Sequence, residues 1–416
     1  MPVILDVANP DLTPFIQADD TVIWGQANAE PLPLSRALMT QRHLFGGRIR
    51  VFLGINASET CLPEHADHVD FVGYGASGTN RNLVRSGVFR VLPCHYSQLS
   101  TLLSTGTCRA DVLFLQVSEP DEAGRYSFGL AHEYLVPLIE SARVVIAEVN
   151  RQMPFIHGER MLTAQDFTAI LPSDRPLLES RQGTSRPADK TIAGHIAGLV
   201  EDGSTLQLGI GAIADSVLAA LSGHRDLGYH SGSMTDGVAA LMEQGVINNA
   251  RKTIDQGIST AGVLLGSRYL HDFADNNPAI RLRRSDYTHN GAVLAGIDKL
   301  VAINSAIEVD LTGQVNSEVA AGQYVGAVGG ALDFIRGAQG AKGGLPIIAL
   351  PSLAGEHSRI VARLSGPVTI PRSDAGLIVT EYGIADLRGL DLEQRRQKML
   401  AISHPDYRDK LAAMAD

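Results

Sequence analysis

The chain predicts an α/β protein built from two tandem copies of one unit, and three observations carry that expectation. Short β-rich runs alternate with helical stretches: RIRVFLG, FRVLP, DVLFLQVS and RVVIAEVN in the first half, LVAINSAIEV, PIIALPS and GLIVTEYG in the second. Such alternation is the signature of a mostly parallel sheet covered by helices. TVIWGQANAEPLPLSRALMTQ (Thr21 to Gln41) and STLQLGIGAIADSVLAALSG (Ser204 to Gly223) both read strand, small-residue turn, helix, and they align Gly25 with Gly209 and Ala27 with Gly211. ADVLFLQVSEPDEAGRYSFG (Ala110 to Gly129) matches DKLVAINSAIEVDLTGQVNS (Asp298 to Ser317) in the same way, with Asp121 over Asp310 and Gly124 over Gly313. The offset is 184 residues in the first pair and 189 in the second, so a small insertion reconciles them.

The stretch SRQGTSRPADK, Ser180 to Lys190, is polar, carries Gly and Pro and lacks apolar periodicity, and is expected to link residues 1–185 to residues 186–416. Two domains also suit 416 residues, which exceed what one ordinary core organises. With 35 basic and 45 acidic residues the formal charge is −10, which speaks against a surface that coats nucleic acid. An anionic substrate then needs a local basic pocket. The opening MPVILDVANPDLTPF lacks a basic, then apolar leader, and no later run has about 18 uninterrupted apolar residues. A cytoplasmic protein with no membrane partner is expected.

Three cysteines, Cys61, Cys94 and Cys108, are too few for a disulfide framework at this size. Cys61, His65, His68 and Asp70 have a spacing that could wrap zinc, but no partner cluster follows, so ordinary surface polarity is the preferred reading and no metal is expected. Cys94 and His95 are adjacent and point apart, a poor nucleophile and base pair.

The second half holds the motifs with chemical content. Gly209-Ile210-Gly211-Ala212-Ile213-Ala214 fits GxGxxA between a strand and a helix, formally a dinucleotide fingerprint. The acidic residue that would hold a ribose is missing, because the next strand, LGYH, ends in His230 and Ser231. What remains is a helix start whose free N–H groups can hold an oxyanion or phosphate. Beyond it, HSGSMTDG reads as a tight polar loop before the helix VAALMEQGVI. The glycine-rich stretch Gly322 to Gly344 is expected to cradle an extended ligand along its backbone, with Arg336 and Lys342 offered to anionic groups.

GIGAIADSVLAAL, HSGSMTDG with EQGVINN, DLTGQVNSE, GQYVGAVGGALDFIRGA, HSRIVARL, TEYGIADLRG and SHPDYRDKL resemble the acetyl-CoA hydrolase/transferase family, which includes 4-hydroxybutyrate, butyrate and succinate CoA-transferases. VSEPDEAGRYSFG and AEVNRQMP extend the likeness into the first half, so it covers about residues 10 to 412. The resemblance implies tandem domains of the CoA-transferase fold, acyl-CoA bound in the cleft between them, a small carboxylic acid as second substrate, and a homo-oligomer. It implies that Gly209, Ile210, Gly211, Ala212 and Ile213 cradle the thioester end of CoA. The loop from Gly322 through Gly326 and Gly329 to Gly330 would lie along the pantetheine; Lys342, read from the glycine-rich stretch itself, is expected as a further coenzyme contact.

At one point the chain departs from the family. Transferases of this kind read His-Thr/Ser-Glu after the second strand, and that glutamate attacks the thioester; here the aligned residue is Gly232. Glycine has no carboxylate, so a covalent glutamyl intermediate cannot form there. Three readings follow: CoA transfer with a relocated carboxylate, for which Glu30 is the candidate; hydrolysis of an acyl-CoA or hydrolytic C–C cleavage, with His230 or Asp236 as base; and a protein that binds CoA without catalysis. Each of the three residues also has an ordinary structural reading, as a helix-start carboxylate, a strand-end histidine or a helix cap.

Overall fold

The computed structural model describes residues 1–180 and 183–414; Arg181 and Gln182, inside the expected linker, lie outside the described residues. The chain packs as two compact units, Met1–Arg181 with Thr260–Thr288, and Gln182–Ser259 with His289–Asp416. The sequence reading placed 260–288 in the second domain. Backbone hydrogen bonds tie that segment to the first unit instead: His132 N to Gly262 O, Leu264 N to Leu130 O, Leu282 N to His157 O and Ser285 N to Glu133 O. The linker is also shorter than expected. Pro187–Ala197 is already helical, and the fully buried Asp189 carboxylate accepts from the Arg186 backbone N–H at 2.9 Å.

The first unit holds one parallel sheet of eight strands: β1 (Val3–Ile4), β2 (Thr21–Trp24), β3 (Ile49–Leu53), β4 (Val69–Gly73), β5 (Phe89–Val91), β6 (Val112–Val117), β7 (Val144–Asn150) and β8 (Ala169–Ser173), in the order β1-β8-β7-β6-β2-β3-β4-β5. Every residue of β2 and β6 is buried, as befits strands covered on both faces. Val22, Trp24, Val51, Phe71, Phe114 and Ile146 form one core with Leu34 and Leu38 of the helix Leu32–Gln41. That helix tolerates Pro33 because first-turn N–H groups need no intrahelical acceptor.

The second unit has β9 (Thr205–Leu208) and β10 (Gly228–Tyr229), followed by strands Leu300–Ser305, Leu345–Ala349, Leu377–Thr380 and Gly383–Asp386. Its sheet runs β10, β9, then those four in turn, and only the last pairs antiparallel. Five strands thus repeat the arrangement β3-β2-β6-β7-β8 of the first unit. The register repeats too: Val22 pairs with Val112 and Ile23 with Leu113, while Leu206 pairs with Val301 and Gln207 with Ala302. These are the pairings that the offsets of 184 and 189 require.

Candidate functional site

In each unit the turn after the central strand stands at the carboxyl edge of the sheet, where open α/β sheets bind ligands. The two turns share an unusual backbone: Ala27 has φ +51° and its counterpart Gly211 φ +109°. Their surroundings differ. A Cβ on Gly25 would meet Ala29 O at 3.0 Å and Leu135 Cδ1 at 3.4 Å, and Gln26 and Ala27 are buried. In the second unit a Cβ on Gly211 would meet nothing within 4 Å, and Ile210 is 51% exposed. Gly211 caps the helix Ala212–Ala220, whose first N–H groups lack intrahelical acceptors. Only the second turn therefore offers open backbone to an anionic or carbonyl oxygen. Below it, Gln207 and Asn304 pair their amides on adjacent strands, Asn304 Nδ2 donating to Gln207 Oε1 at 2.9 Å; the motif search did not single them out.

Beside this turn, β10 leads into the loop at Gly232. Ser231 Oγ donates to Leu208 O at 3.0 Å, and the His230 backbone N–H donates to Leu206 O. His230 is fully buried, so its ring is a packed strand-end group. Asp236 opens the helix Asp236–Glu243, where a carboxylate suits the dipole. Asp215, in the first turn of the neighbouring helix, has its pKa pushed up, mostly by burial and in the same direction by the charge of Asp236. At Gly232 a Cβ would lie 2.9 Å from His289 Cε1 and 3.0 Å from His289 Nε2. The imidazole fills the space a side chain at 232 would enter.

Glu30 lies in the first unit and is 1% exposed. Ser35 Oγ donates to its Oε1 at 2.9 Å, and burial raises its pKa against the opposing hydroxyls of Ser58, Ser35 and Thr60 and the charge of Arg175. It is thus enclosed by hydroxyls and an arginine inside the first unit.

The glycine-rich stretch resolves into several uses. Val319–Ala320 and Gln323–Tyr324 form a hairpin whose two turn residues, Ala321 and Gly322, both have positive φ. Gly326 crosses so close that a Cβ would sit 1.9 Å from Ser317 O. Gly329 has φ +59° and Gly330 caps the helix Ala331–Gly340, within which a Cβ on Gly337 would meet Leu294 Cβ at 2.4 Å. The later glycines thus serve helix packing.

Arg336 and Lys342 are not brought to the open turn. Arg336 pairs with Asp374 at 2.8 Å. Lys342 lines a 280 Å³ cavity with Asp202, Arg251 and Lys299; Asp202, Lys299 and Lys342 stand just before the strands that start at Thr205, Leu300 and Leu345, hence the cavity lies at the opposite edge of the sheet. Burial and ion pairs account for the CLPEHADHVD segment: Cys61 is buried, and Asp70 pairs with Arg48 and Asp67 with Arg42, each at 2.7 Å. Among the described residues no three His, Cys, Asp or Glu side chains converge as a metal site would need.

The first unit's carboxyl edge holds a polar cluster that the sequence reading missed. Gln26 Nε2 donates to Glu133 Oε2 at 2.5 Å and to Tyr96 Oη at 2.9 Å, while Tyr74 Oη donates to Gln26 Oε1 at 2.7 Å. Burial pushes Glu133 up to about 8. Its lone charge within the apolar run GLAHEYLVP was the available signal.

Comparison with known proteins agrees with this architecture. Residues 7–175 match the acetyl-CoA hydrolase/transferase N-terminal domain and residues 266–415 the acetyl-CoA hydrolase/transferase C-terminal domain. The 4-hydroxybutyrate coenzyme A transferase of Clostridium kluyveri is 38% identical over 95% of this chain and 94% of its own. A crystal structure of RipA from Yersinia pestis superposes with a TM-score of 0.90 at 34% identity, covering 96% of this chain and 94% of that one. A 4-hydroxybutyrate CoA-transferase from Porphyromonas gingivalis gives a TM-score of 0.82 at 37% identity, covering 96% and 93%. The chain belongs to the acetyl-CoA hydrolase/transferase family and is an enzyme of that family. Among the described residues no helix is long and apolar enough to cross a membrane.

Proposed function

We propose that this chain binds a short acyl-CoA at the carboxyl edge of its second unit and moves CoA between that acyl-CoA and a small carboxylic acid. The observation that carries this reading is the asymmetry of the duplicated turn, closed at Gly25, where a Cβ would meet Ala29 O at 3.0 Å, and open at its counterpart Gly209, where the nearest atom lies 3.8 Å away, and at Gly211. The open turn presents helix-start N–H groups toward a developing thioester oxyanion, with room for a bulky ligand. Gly209 to Ile213 would hold the thioester end, and the Gly322 hairpin with Gly326 to Gly330 the pantetheine. Two relatives named for transfer of CoA to or from 4-hydroxybutyrate support the substrate class.

A second reading, hydrolysis of the thioester, is favoured by Gly232, which supplies no carboxylate to carry an acyl group. A relative from Yarrowia lipolytica, 27% identical over 70% of this chain and 57% of its own, is named acetyl-CoA hydrolase. Incubating the protein with acetyl-, butyryl- and succinyl-CoA, with and without acetate or succinate, separates the readings. Transfer is expected to form new acyl-CoA only with an acceptor and without net thiol release; hydrolysis releases thiol without one. Binding of CoA with neither product would contradict both and leave a non-catalytic binder. We also read the chain as a cytoplasmic homo-oligomer, supported by its three free cysteines and its family.

A further inference from the structure

The loop after β10 is closed to side chains by packing and not by its backbone. Gly232 has no positive φ, so its backbone alone admits any residue. A Cβ built there would lie 2.9 Å from His289 Cε1 and 3.0 Å from His289 Nε2. Both approaches fall inside the ~3.5–4.0 Å at which such atoms pack. Phe334 Cε2, at 3.9 Å, is an ordinary contact, so the imidazole is what a side chain would strike. The ring has little room to retreat, because Phe334 backs it at a centroid distance of 4.6 Å and an interplanar angle of 53°. Phe334 is itself packed with Leu294, Leu300 and Ala338 in one buried cluster. On the chain side, Asn290 caps the helix Gly291–Ala295, accepting from Ala292 N at 2.9 Å and Val293 N at 3.2 Å, which fixes the backbone next to the histidine. The loop is held as well. Ser231 Oγ donates to Leu208 O at 3.0 Å and ties it to the residue before the open turn at Gly209.

We propose that His289 is the steric determinant that keeps a carboxylate out of this loop: Gly232 and His289 are a matched pair, and covalent transfer through position 232 requires both to change. This rests on the reading that acyl-CoA binds beside the loop, and it adds what shapes that site. Gly232→Glu alone drives a Cβ into a wedged ring, which displaces the loop or the histidine and holds the new carboxylate out of place. With His289 cut back to alanine as well, the vacated volume receives the side chain. Its carboxylate oxygen then bonds to the thioester carbonyl carbon as CoA departs as thiolate. The thiolate attacks the enzyme's own carbonyl carbon in the resulting anhydride and releases the acyl group as a carboxylate. An acceptor acid runs the same steps in reverse, and no other reactant enters.

The test compares the wild type with Gly232→Ala, Gly232→Glu and His289→Ala, and with each Gly232 change combined with His289→Ala. Four quantities are read: melting temperature, butyryl-CoA binding by calorimetry, CoA exchange between butyryl-CoA and acetate, and peptide mass after borohydride trapping. Gly232→Ala is expected to lower the melting temperature by about 2–10 °C in the native background, the usual effect of overpacking in a unit of this size, and by little once His289 is alanine. Gly232→Glu alone should exchange no more CoA than the wild type. Combined with His289→Ala, it should exceed both single variants by about tenfold or more and carry a trapped label at position 232. Equal melting shifts for Gly232→Ala in the two backgrounds overturn the inference, and so does exchange with a label from Gly232→Glu alone. A double variant that folds and binds butyryl-CoA without a label at position 232 overturns it too. A wild type that binds no butyryl-CoA overturns instead the reading on which the inference rests.

Discussion

Glu133→Gln is expected to raise stability at pH 8 and to remove most of the decline in stability between pH 4.5 and 8. In the folded chain burial lifts this carboxyl from 4.5 to about 8, only partly offset by the Gln26 hydrogen bond. A carboxyl held protonated in the fold and ionised in the unfolded chain makes the fold take up a proton, so its contribution is fully present below pH 4.5 and is lost as pH rises toward 8. At about 1.4 kcal/mol per unit the loss is on the order of 4 to 5 kcal/mol. Glutamine keeps an acceptor for Gln26 Nε2 and has nothing to ionise. The surrounding titratable groups, Tyr74 and Tyr134, are themselves pushed well up by burial, so they stay neutral through this range. Denaturant unfolding at pH 5, 6.5 and 8 reads the effect directly. Equal pH slopes in wild type and variant would show that Glu133 is ionised in the fold. The residue also has φ +34°, a conformation that costs a side-chain-bearing residue about 1–3 kcal/mol.

Arg175→Leu is expected to destabilise the first unit by about 3–5 kcal/mol, the usual result of stranding a buried charge. Glu148 on β7 is fully buried, and Arg175 reaches it through two nitrogens, Nε to Oε1 at 2.7 Å and Nη2 to Oε2 at 2.9 Å. The same Nη2 donates to Glu30 O at 2.9 Å, so the arginine ties the end of β8 to the turn that follows β2. Ser173 Oγ, at 2.7 Å from Oε1, is too weak a donor to replace it. The double variant Arg175→Leu with Glu148→Leu should recover much of the loss, because no uncompensated carboxylate is then left inside. If both single variants melt with the wild type, the pair carries no structural role.

The duplication was legible because it rests on local pattern. A strand, a turn with one positive-φ position and a helix leave marks within twenty residues, and Ala27 and Gly211 keep that position in both copies. The expected departure at Gly232 rests on the same kind of local mark, a short motif read within a few residues. What lay hidden depends on partners far apart in sequence. Residues 260–288 join the first unit through backbone bonds to residues such as Leu130 and His157, which no composition shift announces. His289 lies 57 positions from Gly232 and has no motif of its own, so its place beside that glycine is a fact of packing alone. Lys342 was misplaced because proximity in sequence to a glycine loop says nothing about which edge of a sheet a residue reaches. The burial of Glu30 likewise comes from packing and had no mark in the sequence.

The central claim is that this family member handles acyl-CoA at a loop with no nucleophilic carboxylate. It is tested most directly by incubating the enzyme with acyl-CoA under turnover, trapping with borohydride or hydroxylamine, and weighing its peptides. The account predicts turnover with no adduct on any residue from Ser231 to Asp236 and none on Glu30. A CoA or acyl adduct on Glu30, or on Asp236, would contradict it, because a carboxylate would then be carrying the group that Gly232 cannot.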